Sequence, residues 1–154
     1  MKDLLTIAHE LGCTEGATYL QSGNIVLETD RGREELQTCL EDAICSRFGY
    51  PDVEVMAWTA VELNEAIDAL PPAWKSYDPS ALHFTFIKAA AVPAEGGVHQ
   101  ADEYIVGAKV VYVYCPNGYG RTKLNNSFFE RLLGTRATTR NWNTAHELRR
   151  LALN

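Results

Sequence analysis

The residues best equipped for chemistry lie at 118–123: Gly118, Tyr119, Gly120, Arg121, Thr122 and Lys123. Glycines let backbone N–H groups come close to a ligand, and concave runs of such groups hold anions. Arg121 and Lys123 add charge-assisted hydrogen bonds to a phosphate or carboxylate. A helix is expected to begin near Asn126 or Ser127, and its free N–H groups favour a negative charge. The glycine-lysine spacing of a Walker A loop is absent. The competing reading is a strand-to-helix turn that needs glycine and carries surface bases.

Asn125, Asn126 and Ser127 follow. Any one of them can cap the helix carrying Phe128, Phe129, Leu132 and Leu133, an effect typically worth ~1 kcal/mol. One cap leaves an asparagine over as a ligand donor beside Arg121. Further on, the run 138–144 offers Arg140 for a phosphate and Trp142 for stacking on a base, although a tryptophan there is more commonly core. Thr144 and Glu147 read as a capping box opening the last helix. The candidate ligand-binding set is therefore Gly118, Gly120, Arg121, Lys123, Asn125, Asn126, Arg140 and Trp142.

The rest of the chain offers less. Gln21-Ser22-Gly23-Asn24 reads as a hairpin turn, and Ser22 has no partner placed to activate it. His9, His83, His99 and His146 are scattered, none at metal-ligand spacing with cysteine or carboxylate. His83 reads as a satisfied sheet residue. Glu34, Glu35, Glu41 and Asp42 fall on the solvated side of a helix. No metal site, cofactor or catalytic residue can be assigned.

The charge distribution explains why the C-terminal segment stands out. Residues 115–154 hold seven basic side chains and two acids, a net +5, whereas residues 1–114 hold seven against eighteen, a net −11. Such asymmetry points to an anion site. The overall charge of −6 argues against indiscriminate nucleic-acid binding. Apolar content of 46% over 154 residues is enough for one ordinary domain or two small units, so disorder is not expected. Cys13, Cys39, Cys45 and Cys115 form no CxxC pair, which suits a reduced, cytoplasmic protein. No segment reads as a signal peptide or membrane span.

The elements that must position these residues follow from hydrophobic period and capping. Helices are expected over 2–11, 32–48 and from Thr59 to Leu70, with Thr59 and Glu62 as a capping box. A hairpin is expected in 17–29 and a strand at 53–58. Residues 73–80, after Pro71-Pro72, read as a linker. Beyond it come a strand at 81–89, a loop at 90–102, a hairpin at 103–115 turning at Gly107, a helix at 127–133, a brief strand at Thr138-Thr139 and a final helix. The expected class is α+β, with two small ferredoxin-like units at 1–72 and 81–154. The first unit lacks that pattern's opening strand, which would leave a gap in its sheet.

Three motifs carry a family resemblance: TYLQSGN at 18–24, VYVYCPNGYGRTKLNNSFFE at 111–130 and ATTRNWNT at 137–144. Together they resemble the bacterial family called domain of unknown function 1697, over nearly the whole chain. The resemblance implies two α/β plait units and no established activity. It also implies a strand and a glycine-rich LRGINVGG-type loop ahead of Met1, so a misassigned or shortened start is expected.

The function that these readings support is binding of a small phosphate-bearing anion or nucleotide. The alternatives are an enzyme acting on a phosphorylated substrate, a single-stranded nucleic-acid binder, or a structural module whose motifs serve folding alone. Oligomeric state is not legible.

Overall fold

The computed structural model describes residues 2–19, 23–91 and 94–153. It is an α+β protein whose contacts divide it into two units, Met1–Glu62 with Glu147–Asn154, and Leu63–His146. The Gln21-Ser22 part of the expected hairpin turn lies outside the described residues.

In the first unit, α1 (Lys2–Glu10) is followed by the antiparallel pair β1 (Thr14–Tyr19) and β2 (Asn24–Glu28), then by α2 (Arg33–Phe48). Ile7 and Ala8 of α1, Cys13, and Leu36 and Leu40 of α2 form its core, with Ile25, Leu27, Val55 and Ala57 packed against them. Gly49 closes α2, its N–H donating to the Cys45 carbonyl.

Residues 53–58 correct the sequence expectation. They form no strand and pair with none among the described residues. The alternate N–H groups of this segment are satisfied from α2 instead. Val55 N donates to Glu41 Oε2 at 2.9 Å, and Ala57 N donates to Gln37 Oε1 at 2.9 Å. Four residues of helix rise about 6 Å and two residues of extended chain about 6.6 Å. Acceptors at 37 and 41 therefore match donors at 57 and 55. Glu41 is thus an internal acceptor and not part of a solvated face. The chain then enters α3 (Ala60–Asp68) through the expected capping box: Thr59 N donates to Glu62 Oε1 at 3.0 Å, and Glu62 N donates to Thr59 Oγ1 at 3.1 Å.

The second unit is built on an antiparallel sheet in the order β4-β5-β6-β3-β7. Its strands are β3 (Leu82–Ile87), β4 (Ala94–His99), β5 (Asp102–Val106), β6 (Val110–Tyr114) and β7 (Ala137–Asn141). The helix α4 (Asn126–Leu133) connects β6 to β7, and α5 (Trp142–Leu153) follows. The connection from β3 to β5 carries strand β4 where a ferredoxin-like pattern has a helix. Ahead of β3, residues 72–76 and 79–81 form two 3-10 turns, and Trp74 is only 4% exposed.

Strand β4 replaces the loop expected at 90–102. Its Gly96 and Gly97 lower strand propensity, which hides it in the sequence. They are there for a different reason. A Cβ on Gly96 would collide with the Tyr104 carbonyl of β5, where the β4–β5 register shifts. The last helix also differs from expectation. It starts at Trp142, and Asn141 Oδ1 accepts from Thr144 N at 2.8 Å. Asn141 is therefore the capping side chain. Thr144 sits inside the first turn at 4% exposure, and Glu147 pairs with Arg150.

Replacing Gln37 by Leu removes the acceptor for the Ala57 N–H at nearly constant volume. The expected cost is about 1–3 kcal/mol, the penalty for a donor left unsatisfied, read as a lower urea midpoint with an unchanged slope. Glu41→Gln keeps an acceptor for Val55 and is expected to lose far less.

Candidate functional site

Strand β3 sorts the polar residues of the second unit. Its neighbours are β6, with His83 opposite Val113 and Thr85 opposite Val111, and β7, with Thr85 opposite Thr139 and Phe84 opposite Arg140. Side chains alternate across a strand, so His83, Thr85 and Ile87 face one side with Val111, Val113 and Thr139. Leu82, Phe84 and Phe86 face the other with Tyr112, Thr138 and Arg140.

The segment 115–133 belongs to the first of these faces. Cys115, Leu124 and Phe129 are at most 1% exposed and pack with Val111, Val113 and Ile87. Gly118 N donates to the Cys115 carbonyl at 3.1 Å. Gly118 has φ +96°, a conformation that β-carbon side chains resist, so the turn requires glycine there. The chain then makes a 3-10 turn, Tyr119–Arg121. Buried Thr122 ties this turn down: its hydroxyl donates to Asp102 Oδ2 at 2.7 Å and accepts from Leu124 N at 3.0 Å. Arg121 and Lys123, on either side of Thr122, are exposed.

Asn125 Oδ1 accepts from Phe128 N at 3.0 Å, which makes it the N-cap of α4. Asn126 is half-buried, and its Oδ1 accepts from Thr139 Oγ1 at 2.6 Å. The Thr139 hydroxyl stands 2.8 Å from that of Thr85. Thr139 has one proton and gives it to Asn126, so Thr85 is the donor in that second bond. Both asparagines thus have structural partners. Ser127 is left exposed at the start of the helix.

Arg140 and Trp142 lie apart from the 118–126 group. The Arg140 guanidinium donates to Thr138 Oγ1 at 2.8 Å and to the Thr139 carbonyl at 3.0 Å, on the sheet face opposite Asn126. Burial pulls its pKa down from the usual arginine range. Trp142 lies tilted against His146, centroids 3.9 Å apart, and stacks on Phe84 at 6.0 Å. Its ring is engaged by the protein's own aromatics. Of the eight sequence candidates, the structure brings together Gly118, Gly120, Arg121 and Lys123, with Asn125 and Asn126 at the helix start behind them.

A cleft of about 340 Å³ opens beside this turn, lined by Asp78, Ser80, Ala81, Tyr114, Cys115, Pro116 and Gly118. Gly118 alone among these is a candidate ligand residue on sequence grounds. Asp78 and Ser80 sit in what reads as a proline-rich linker, and only the strand pairing of β3 with β6 carries them to the end of β6. Asp78 Oδ1 accepts from Ser80 N at 3.0 Å, and this hydrogen bonding holds the carboxyl below its usual pKa. Tyr114 stacks on Tyr77 at 4.1 Å, and the Tyr77 hydroxyl donates to Glu103 Oε2 at 3.3 Å. Burial raises the Cys115 thiol pKa, a smaller lowering effect comes from its hydrogen bond with Thr122, and Asp102 raises it further. Burial and Asp102 thus both favour the protonated form of the Cys115 thiol.

His83 corrects a second expectation. Its ring stacks on Tyr119 at 4.8 Å, and its buried Nδ1 has no hydrogen-bond partner among the described residues. It is not a satisfied sheet histidine. Burial lowers its pKa from the ordinary 6.5, with a smaller opposing pull from the Ala81 backbone.

Comparison with known proteins agrees with this architecture. The family model DUF1697, a protein of unknown function, matches residues 1–114. The chain belongs to this family. The matched span ends at Tyr114, so the turn at 118–123 lies beyond it. Among solved structures, the chain resembles the conserved bacterial protein SP0830 from Streptococcus pneumoniae, with a TM-score of 0.70 and 16% identity over 99% of this chain and 88% of that one. This likeness concerns the fold. No curated protein matches the chain. Among the described residues, no helix is long and apolar enough to cross a membrane.

The His83 environment predicts a pH dependence. A histidine whose folded pKa is depressed stabilises the fold fully above its unfolded value, and that stability is lost as pH falls through the window below 6.5. Urea midpoints are therefore expected to drop between pH 7.5 and pH 5, and His83→Gln is expected to remove part of that drop.

Proposed function

We propose that this member of the DUF1697 family is a binding protein for a small phosphate-bearing anion, taken up at the turn 118–123. The observation that carries this reading is the state of the two basic side chains. Arg31, Arg33, Arg47, Arg136 and Arg150 each pair with a carboxylate of the protein: Glu35, Glu62, Glu10, Glu130 and Glu147 respectively. Arg121 and Lys123 are exposed and make no ion pair among the described residues. A purely structural role for the segment predicts the opposite, with both cations matched internally and no cleft beside them.

The geometry supports binding over chemistry. The turn is held from beneath by Thr122 and Gly118, so the two cations project from a fixed base. Near them stand a buried thiol, Cys115, and a histidine, His83, that stacks on Tyr119, and neither is arranged as a base beside a nucleophile. Asn125 and Asn126 contribute by fixing the start of α4. Their amide nitrogens are the parts of those side chains left for a ligand.

Arg121→Ala combined with Lys123→Ala is expected to weaken binding of inorganic phosphate and mononucleotides at least about tenfold, since two charge-assisted contacts are lost. Thermal stability should hardly change, because both residues are exposed. Calorimetric titration of the wild type and the double variant checks this. Equal affinity in the two proteins overturns the reading.

A further inference from the structure

Tyr119 is the side chain by which the middle of the turn 118–123 grips the sheet. Its ring lies on that of His83 in β3, centroids 4.8 Å apart and planes 25° from parallel, and it packs against the core of the same face. Hydrogen bonds hold the two ends of the turn: Gly118 N donates to the Cys115 carbonyl at 3.1 Å, and the Thr122 hydroxyl donates to Asp102 Oδ2 at 2.7 Å. Gly118 and Gly120 flank Tyr119, and a Cβ on either would meet nothing within 4 Å. The chain on both sides of the tyrosine is therefore unpacked and has the freedom of glycine.

One half of this stack is titratable. His83 Nδ1 is buried with no hydrogen-bond partner among the described residues. A neutral imidazole can leave one nitrogen as an unused acceptor, whereas a protonated ring carries a donor on both. The cross-strand neighbours of His83, Val113 on β6 and Asn141 on β7, are uncharged. The Ala81 carbonyl already accepts from Cys115 N at 2.8 Å. Among the charged and titratable groups of the surrounding elements, Asp102 is held by Thr122, Asp78 by the Ser80 N–H, and Glu130 of α4 by Arg136 and Ala137 N. Cys115 is buried, and the exposed Arg121 and Lys123 carry the same sign as an imidazolium. A cation over the tyrosine face is attracted to it, but that attraction is smaller than the penalty for a buried charged donor without an acceptor.

We infer that the His83–Tyr119 stack is a pH-sensitive latch: neutral His83 holds the turn 118–123 against the sheet, and proton uptake at His83 releases Tyr119 and opens the turn about Gly118 and Gly120. Water then supplies the acceptor that the buried nitrogen lacks. Burial lowers the His83 pKa from 6.5 while the stack is closed, and the open state restores the ordinary value. Closure is thus fully favoured above 6.5 and is lost as pH falls below it. The latch acts on the turn whether or not an anion is taken up there, and it leaves the sheet beneath intact.

The test is an NMR titration of the full chain from pH 7.5 to pH 5, without ligand. The His83 imidazole resonances and the amide resonances of residues 118–122 are expected to move with one shared midpoint below 6.5. Over the same range the protection of the Gly118 and Thr122 amides, corrected for the intrinsic exchange rate, is expected to fall at least about fivefold, while amides of the β3–β6 ladder keep theirs. His83→Phe keeps a ring against Tyr119 but takes up no proton, so its turn is expected to stay protected at both pH values. Asp102→Asn removes the other titratable anchor and is expected to retain the wild-type response. The latch is overturned if His83 titrates while the turn amides do not respond, or if the ladder loses protection together with the turn. It is equally overturned if His83→Phe shows the wild-type drop, or if Asp102→Asn abolishes it.

Discussion

Strand β3 is the constraint on which the second unit depends. Five of its six residues are buried, so both of its faces are core, and its flanking strands β6 and β7 fix which residues share each face. A one-residue slip would exchange Phe84 and Phe86 with Thr85 and His83, placing two aromatic rings under α4 and two polar groups among aromatics. The register therefore decides more than packing. It sets Thr85 beneath Thr139 and Asn126, sets Arg140 over Phe84 on the far side, and carries Asp78 and Ser80 to the end of β6, where the cleft opens.

The polar residues around 118–144 divide according to that register. Asn125, Asn141 and Thr122 satisfy backbone donors, and Thr85, Thr139 and Asn126 form a chain of hydrogen bonds against the sheet. Unsatisfied groups in such places cost about 1–3 kcal/mol each, so these side chains are committed to the fold. Arg121 and Lys123 carry no comparable commitment. The contrast between engaged amides and exposed cations, only a few residues apart, separates the part of this segment that holds the fold from the part that does not.

The first unit solves a different problem. Residues 53–58 have the composition of a strand, yet α2 supplies the acceptors that a neighbouring strand would otherwise provide. Helix pitch and strand rise happen to agree closely enough for Gln37 and Glu41 to meet Ala57 and Val55. The polar side of α2 is thereby used as a substitute sheet edge, and Val55 and Ala57 still reach the core beneath it.

The sequence alone determined what depends on near neighbours in the chain. Helix periodicity, the Thr59–Glu62 capping box, the turn at Gly107 and the need for glycine at 118 are local physics, and they stand in the structure as read. The family was legible too, and its model matches residues 1–114. Tertiary structure decided what depends on residues far apart in sequence. Gly96-Gly97 reads as loop locally, but it is strand because it pairs with β5, and glycine stands at 96 because the Tyr104 carbonyl leaves no room for a Cβ. Thr144 has every local feature of a cap, yet Asn141 takes that place because β7 runs directly into α5. Arg140 and Arg121 look like members of one basic cluster, and the alternation of β7 puts their supports on opposite faces. Asp78 looks like a linker residue, and only the pairing of β3 with β6 brings it beside Gly118. Charge pattern reports how many cations a segment holds; strand register determines which of them share a face.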